Sequence, residues 1–386
     1  MKRRTERVFP DRERCCGCGL CAVRCPVDAI AMREDAEGFR YPEIDPGACI
    51  RCGKCRTDCP FDPVRHPVVR TGSDMAVLGA RLKDLHALAA SQSGGVFAAL
   101  ARSVLLDGGV VYGAALEETG SSVAHRRVTG IGDLGPLLGS KYAQSTLSGD
   151  IYRAIRCDVA GGRTVLFSGT PCQAAAVLAL WPDKRPSNLL VCDLICHSVA
   201  SPRFWRDYVG RMRQRLGGQL VAVRFRDKPL AGWRRMVESF TADDGRILSG
   251  RIFARMFSSH LLFRPSCSRC PFTTPFRDAD ITLGDLWGVE SVRPDWHADD
   301  CGASLVIVRT PIGQVWFRRA KEVLDCFPVS LKSGAQAQLE APVPQPCGRR
   351  IFWASYRSFG WPWIRATLLW LRFRQAICRR IGKARR

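Results

Sequence analysis

CCGCGLCAVRCP at residues 15–26 and CIRCGKCRTDCP at residues 49–60 decide the reading of this chain. Both carry one spacing, C-x2-C-x2-C-x3-C-P: Cys15, Cys18, Cys21 and Cys25 ahead of Pro26, then Cys49, Cys52, Cys55 and Cys59 ahead of Pro60. Three thiolates held two residues apart wrap one corner of an iron-sulfur cube, while the fourth, set off by three residues and a proline, points to the neighbouring cube. The spacing pairs Cys15, Cys18, Cys21 and Cys59 around one 4Fe-4S cluster, and Cys49, Cys52, Cys55 and Cys25 around a second. Zinc sites use two well-separated pairs of ligands, which this pattern does not offer. A disulfide scaffold would suit a secreted protein, but residues 1–14 are charged and hold no apolar leader segment. Cys16 is left over and reads as an incidental thiol.

The doubled run is that of a small bacterial-type ferredoxin domain, expected over residues 1–66. With 386 residues the chain has room for a further core beyond it, and 46% hydrophobic residues suit a globular one. Nineteen cysteines, eight of them spent on clusters, argue for a reducing compartment, hence the cytoplasm or the inner face of its membrane. The net charge of +22 is unevenly spread: residues 341–386 hold eleven Arg or Lys and no acid. Four of the ten tryptophans, Trp353, Trp361, Trp363 and Trp370, fall there too. Wound as a helix from Pro362, this basic tail puts Arg365, Arg372 and Arg379 on one face and Trp363, Trp370, Ile377 and Ile381 opposite, with Arg374 off the pattern. It is too short and too charged to span a bilayer. It suits either peripheral contact with a membrane or docking onto the body. Nucleic acid is disfavoured, because no binding motif accompanies the charge.

His66 to Asp74, with Pro67, Gly72 and Ser73, reads as a linker. An α/β core is expected over residues 75–340. Ser93 reads as the cap of a helix from Gly94 to Leu106, which Gly108 and Gly109 stop before a strand from Val110 to Leu116. A helix opening on Ser-Gly-Gly offers backbone amides to an anion. The next unit repeats the logic: a strand Thr164–Ser168, a turn Gly169-Thr170-Pro171-Cys172 and a helix Gln173–Leu180. Neither turn is a dinucleotide or P-loop signature, so each is also an ordinary α/β connection. A strand Leu189–Ile195 then leads to Cys196-His197, Ser201-Pro202 open a helix, and Asp243-Asp244-Gly245 join Val237–Ala242 to Arg246–Ser249 as a hairpin. Strands at Asp280–Leu283 and from Ser304, with a helix to Leu324, complete the core. The fold class is α+β: ferredoxin domain, α/β core, basic helical tail.

Among the remaining cysteines, Cys157, Cys192, Cys326 and Cys378 read as buried small hydrophobes. Cys267-x2-Cys270, bracketed by Pro265 and Pro271, looks instead like a metal knuckle. With Cys172 and Cys196 it supplies the four ligands of a third metal or iron-sulfur site.

Seven stretches in order carry a resemblance: QSGGVFAAL (92–100), GGVVYGAAL (108–116), GSKYAQS (139–145), SGTPCQ (168–173), CDLICHSVASP (192–202), CSRCPF (267–272) and DITLGDLWG (280–288). Together they resemble the coenzyme F420 hydrogenase/dehydrogenase beta-subunit family. The resemblance implies an FAD-binding core served by iron-sulfur clusters, with Ser93, Gly94 and Gly95 near the flavin pyrophosphate. It puts Lys141, Tyr142, Gln144 and Ser145 near flavin or substrate, with Gly169, Thr170 and Asp285 as further cofactor-binding candidates. It also favours a cluster on Cys172, Cys196, Cys267 and Cys270. One departure is Ser198, where the family's Cys-His pair is often followed by glycine; the serine is expected to narrow the pocket.

Clusters that move single electrons beside a flavin that moves two make a converter. The expected function is an oxidoreductase that exchanges electrons with a donor such as ferredoxin or a hydrogenase/dehydrogenase subunit. It would reduce or oxidise a small organic substrate or deazaflavin, with His197 either a proton donor or a hydrogen bond within its loop. The competing expectation is a non-catalytic electron-transfer subunit that feeds a partner enzyme, at a membrane or in polysaccharide biosynthesis.

Overall fold

The computed structural model describes residues 6–9, 11–62, 75–332, 334 and 336–371. The linker expected at His66–Asp74, and Arg372, Ile377, Cys378, Arg379 and Ile381 of the tail, lie outside them.

The N-terminal module is a three-stranded antiparallel sheet, β1 (Glu6–Arg7), β2 (Ile30–Glu34) and β3 (Arg40–Ile44), in the order β1-β3-β2. The two cysteine runs lie against it, each carrying one helical turn, Leu20–Val23 and Lys54–Thr57. Phe39 and Tyr41 on β3 are buried with Cys15.

The body is built on eleven more strands: β4 (Ala76–Leu82), β5 (Val110–Leu116), β6 (Val123–Val128), β7 (Val165–Gly169), β8 (Leu189–Leu194), β9 (Leu220–Arg224), β10 (Glu238–Ala242), β11 (Ile247–Gly250), β12 (Ile281–Asp285), β13 (Ser304–Val308) and β14 (Leu324–Pro328). Eight of them form one mixed sheet, ordered β14-β4-β13-β12-β8-β7-β5-β6. Its centre, from β12 through β8 and β7 to β5, is parallel, and both margins are antiparallel. Every residue of β7 and of β13 is buried, as expected where helices cover both faces of a sheet. The helices Val96–Leu106 and Pro311–Lys321 cover one face. Gly149–Ala160 and Pro171–Leu178 cover the other, and the cysteine module packs on that side. β9, β10 and β11 make a small antiparallel sheet. It shares an aromatic core of Trp205, Tyr208, Phe240, Phe253, Phe352, Trp353 and Tyr356 with the helices Pro202–Leu216, Ile252–Ser258 and Arg349–Phe359.

The strands expected at 110–116, 164–168, 189–195 and 280–283, and the 243–245 hairpin, are present with ends shifted by a residue or two. One boundary is corrected at its cause. Ser93 does not cap the helix: it sits at φ 52°, its hydroxyl donates to the Ala303 carbonyl at 2.6 Å, and Gly95 is the cap, with φ 75°. A side chain on Gly94 would meet the Ala80 carbonyl and lie 2.7 Å from the Ser304 amide, so the glycines let this turn press against β4 and β13. β4, β6, β9 and β14 were not expected. Cys192 is buried as expected, whereas Cys157 is exposed and Cys326 only partly covered.

The first part of the basic tail docks. Residues 361–371 continue as a helix that buries Ile364 and Thr367, and Trp361 stacks on Tyr208 with centroids 5.6 Å apart. Leu369 and Trp370 stay exposed on its outer side. No helix among the described residues is long and apolar enough to cross a membrane.

Candidate functional site

The first run lies deep between module and body. Cys15, Cys16 and Cys18 are buried and Cys21 and Cys59 partly so. Burial pushes the thiols of Cys21 and Cys59 up, and each is pushed further by the charge of Cys18 and Cys15; Cys21 also feels Cys59. Cys21 feels Cys55 of the second run as well. The second run faces outward, with Cys52 exposed, and the Cys55 thiol, raised first by burial, feels Cys49 and Cys52. Cys25 Sγ accepts the Ala29 amide at 3.2 Å.

A second group of cysteines gathers where β7 and β8 end. Cys172 follows the Thr170 cap of its helix, with Sγ 3.2 Å from Thr170 Oγ1. Cys196 leaves the end of β8, and Cys267 and Cys270 sit on the turn from Pro265. Cys172, Cys196, Cys267 and Cys270 line one small cavity with Cys16, Gln144, Thr170, Ser198 and Arg264. Burial raises the thiols of Cys196, Cys267 and Cys270, and each also feels Cys172. No three of the described His, Cys, Asp or Glu side chains close on a point as a single bound ion requires. An iron-sulfur cube takes its cysteines at separate corners and does not ask that of them. Ser198 holds φ 106°, backbone that favours glycine, and its side chain lies in this cavity within hydrogen-bonding reach of Cys267.

A larger cavity, about 530 Å³, opens between the Ser91-Gln92 turn, the segment 135–141 and β9. Arg126, Lys141, Arg224, Arg226 and Lys228 line it, against Glu117 and Glu118. Arg126 and Arg224 are paired, to Glu117 at 3.3 Å and Asp227 at 3.6 Å. Arg226 donates to Asp285 at 2.9 Å and lies over Trp287, which stacks on Trp233. Lys141 Nζ donates to the carbonyls of Pro136 and Leu138 at 2.8 and 2.7 Å, and burial pushes its pKa down to about 7. Burial likewise lowers Lys228 to about 8. Three buried polar atoms of residues lining this cavity have no hydrogen-bond partner among the described residues: Ser91 Oγ, Gln92 Nε2 and Arg226 Nε. A cationic hollow with unspent donors fits an anionic ligand that accepts hydrogen bonds.

The expected cofactor residues divide between the two hollows. Lys141 lines the larger, Gln144 and Thr170 the smaller. Tyr142 packs edge-on against Phe225 and Phe257, and Ser145 is buried where Gln173 donates to its Oγ at 3.0 Å. Gly169 ends β7, and Asp285 accepts Trp233 Nε1 at 2.7 Å beside Arg226. Ser93, Gly94 and Gly95 flank the larger hollow in sequence, but the Gly94 amide is already bound to Ser304 Oγ at 2.9 Å and the Gly95 amide to the Gln92 carbonyl at 3.1 Å. His197 packs edge-on against His260, Phe257 and Phe263, and burial lowers its pKa. Ser91, Gln92, Arg126, Arg226, Lys228, Arg264 and Cys16 were not singled out for either hollow. Gln92 stands inside a quoted motif, and the others come from segments that only folding brings together.

A two-run cysteine module joined to a mixed-sheet body with a cysteine-lined cavity defines an iron-sulfur protein of the oxidoreductase type. Residues 14–62 match the 4Fe-4S dicluster domain, and residues 162–327 match the family described as the C terminus of the coenzyme F420 hydrogenase/dehydrogenase beta subunit. Among solved structures it is similar to a chain of the F420-reducing [NiFe] hydrogenase complex from Methanosarcina barkeri, at 20% identity and a TM-score of 0.48, over 67% of this chain and 83% of that one. No curated protein sequence matches it. Ser93–Gly95 and Lys141–Ser145 lie ahead of the family-matched residues.

Proposed function

We propose that the chain is a cytoplasmic iron-sulfur flavoprotein oxidoreductase with three 4Fe-4S clusters and one FAD. The clusters are assigned to Cys15, Cys18, Cys21 and Cys59, to Cys49, Cys52, Cys55 and Cys25, and to Cys172, Cys196, Cys267 and Cys270. The observation that carries the reading is the cationic cavity of about 530 Å³ with its unspent Ser91, Gln92 and Arg226 donors, tied by a short stretch of chain to the cysteine pocket. Lys141 lines one hollow and Gln144 the other, on the order of 10 Å of extended chain apart. FAD in the larger hollow would exchange electrons singly with a cluster and as a hydride with an organic substrate or deazaflavin.

The chain's own residues have definable tasks. Arg226, steadied by Asp285 and backed by Trp287, offers Nε to an anion, and Lys228 adds charge behind it. Lys141 is protonated below about pH 7 and increasingly neutral above it. An anion beside it favours the charged form, so binding takes up a proton above that pH and affinity falls as pH rises through it. His197, with its aromatic neighbours, is assigned to holding the Cys196 loop rather than to proton delivery.

The test is anaerobic purification with iron, sulfide and flavin counted per chain. About twelve irons with one FAD supports the reading, at four irons per cube; about eight irons and no flavin overturns it. Arg226→Met is expected to purify with iron intact and most of its flavin lost. Lys141→Met is expected to flatten the pH dependence of flavin affinity, measured by fluorescence titration. The rival reading, an electron-transfer subunit serving a partner enzyme at a membrane, draws on exposed Phe359, Leu369 and Trp370 beside Arg365. It would be favoured by clusters that reduce normally while no small acceptor turns over.

A further inference from the structure

Arg264 is 2% exposed, the most deeply buried cation among the described residues. Three of the other four buried arginines lie close to carboxylates: Arg226 to Asp285, Arg277 to Asp193 and Arg349 to Glu37; the fourth, Arg309, donates to the Pro275 carbonyl and Thr282 Oγ1. Arg264 has no carboxylate in salt-bridge range among the described residues. Its guanidinium is held by neutral acceptors, Cys15 O at 2.9 Å, Gln144 Oε1 at 2.8 Å and Arg40 O at 2.9 Å, and lies over the Tyr41 ring at 4.3 Å. A full charge in a dry interior without a counter-charge is costly, and neutral acceptors do not supply one.

The groups within reach that become negative on holding a cluster are cysteine sulfurs, and they belong to two sites. Arg264 Nη2 lies 3.9 Å from Cys15 Sγ of the first run. On the other side Arg264 and Cys267 share one turn, the Cys267 amide donating to the Arg264 carbonyl at 3.0 Å, and both line the cavity of the core cysteines. Gln144, which accepts from Arg264, donates to the Cys16 carbonyl at 2.8 Å and completes the junction. Gly17 makes room for it: at φ 73°, a side chain there would stand 2.7 Å from Arg264 Nη1.

We propose that Arg264 is a shared counter-ion for the clusters on Cys15, Cys18, Cys21 and Cys59 and on Cys172, Cys196, Cys267 and Cys270, raising the reduction potential of both. The inference rests on the cluster assignment above. A cube gains one negative charge when it takes up an electron, so a fixed cation beside it favours the reduced form. The Cys49, Cys52, Cys55 and Cys25 site, with Cys52 exposed, has only the exposed Arg51, Lys54 and Arg56 of its own run beside it, and water screens them. One electron given up by the outer cube, which is oxidised, then runs downhill to an inner one, which is reduced.

The test is an EPR-monitored potentiometric titration of wild type, Arg264→Gln and Arg264→Lys, with iron counted in each. Arg264→Gln is expected to move two of the three midpoints to more negative potential and leave the third in place, and Arg264→Lys to restore most of the shift. Loss of both inner clusters in Arg264→Gln but not in Arg264→Lys also supports a charge requirement. Unmoved midpoints, an equal shift of all three, or the same behaviour in both variants overturns the proposal and leaves Arg264 a packing residue. A wild type with about eight irons instead overturns the three-cluster reading itself.

Discussion

Replacing Cys172 by serine is expected to remove about four of about twelve irons per chain, erase one EPR signal, and leave the two clusters of the N-terminal module untouched. The expectation follows from where Cys172 stands. It opens a helix whose Thr170 cap and Gln173 side chain form a closed capping box, so its Sγ is fixed toward Cys196, Cys267 and Cys270. A serine oxygen is harder and shorter in reach than a thiolate and does not replace it at an iron-sulfur corner. The helix keeps its cap, so the fold and the larger cavity persist and flavin content should hold. Substrate turnover should drop to background, because the break lies between the module and the larger hollow. Cys157→Ser, at an exposed thiol, is the control and should change nothing. Full iron in Cys172→Ser would exclude Cys172 as a ligand.

The second large effect is expected from Glu37→Gln. Glu37 sits in the β2–β3 turn, where both its oxygens accept from Arg349, Oε1 at 3.1 Å, while Arg349 Nε donates to Phe263 O at 3.0 Å. Both partners are under 10% exposed. Arg12 at 3.9 Å adds only a distant charge. Glutamine keeps the shape but leaves Arg349 charged and uncompensated, which costs about 3–5 kcal/mol. The measurement is the urea midpoint. Pairing the change with Arg349→Met should recover much of the loss, since the penalty is the stranded charge rather than the missing pair. By contrast Asp150→Asn, which breaks an ion pair with both side chains more than half exposed, should cost under about 1 kcal/mol.

The cysteine runs were legible because a cube dictates ligand spacing along the chain. The 3.6- and 2-residue periods together with glycine and proline punctuation made the central strands β5, β7, β8 and β12 equally readable. The strands that escaped are at the margins. β4 follows the linker and precedes no turn signal, β6 alternates basic residues with small ones, and β14 ends in a proline that only an edge strand admits. The Ser93 cap was misread because the sequence could not show that β4 and β13 press on that turn. Cys16 and Arg264 carry no local motif, and their place at the site arises from Cys15 and Arg264 meeting across 249 residues of chain, a distance only folding closes. The tail's docking side was likewise hidden, since its tryptophans fit a membrane and an aromatic core equally well.

The position of β4 bears on how the protein is made. It pairs Ala80 with Ser304 on one side and Cys326 on the other, so this strand leaves the ribosome long before either neighbour exists. The cysteine module, complete by residue 62 with its own small sheet, can take up metal while the rest is still being synthesised. The core cysteines have no such head start, because Cys267 and Cys270 come near the end of the sheet's sequence. With the proposed core cluster, assembly would be ordered in time, module first and core last, and an iron-starved cell should then accumulate a form loaded only at its N-terminus.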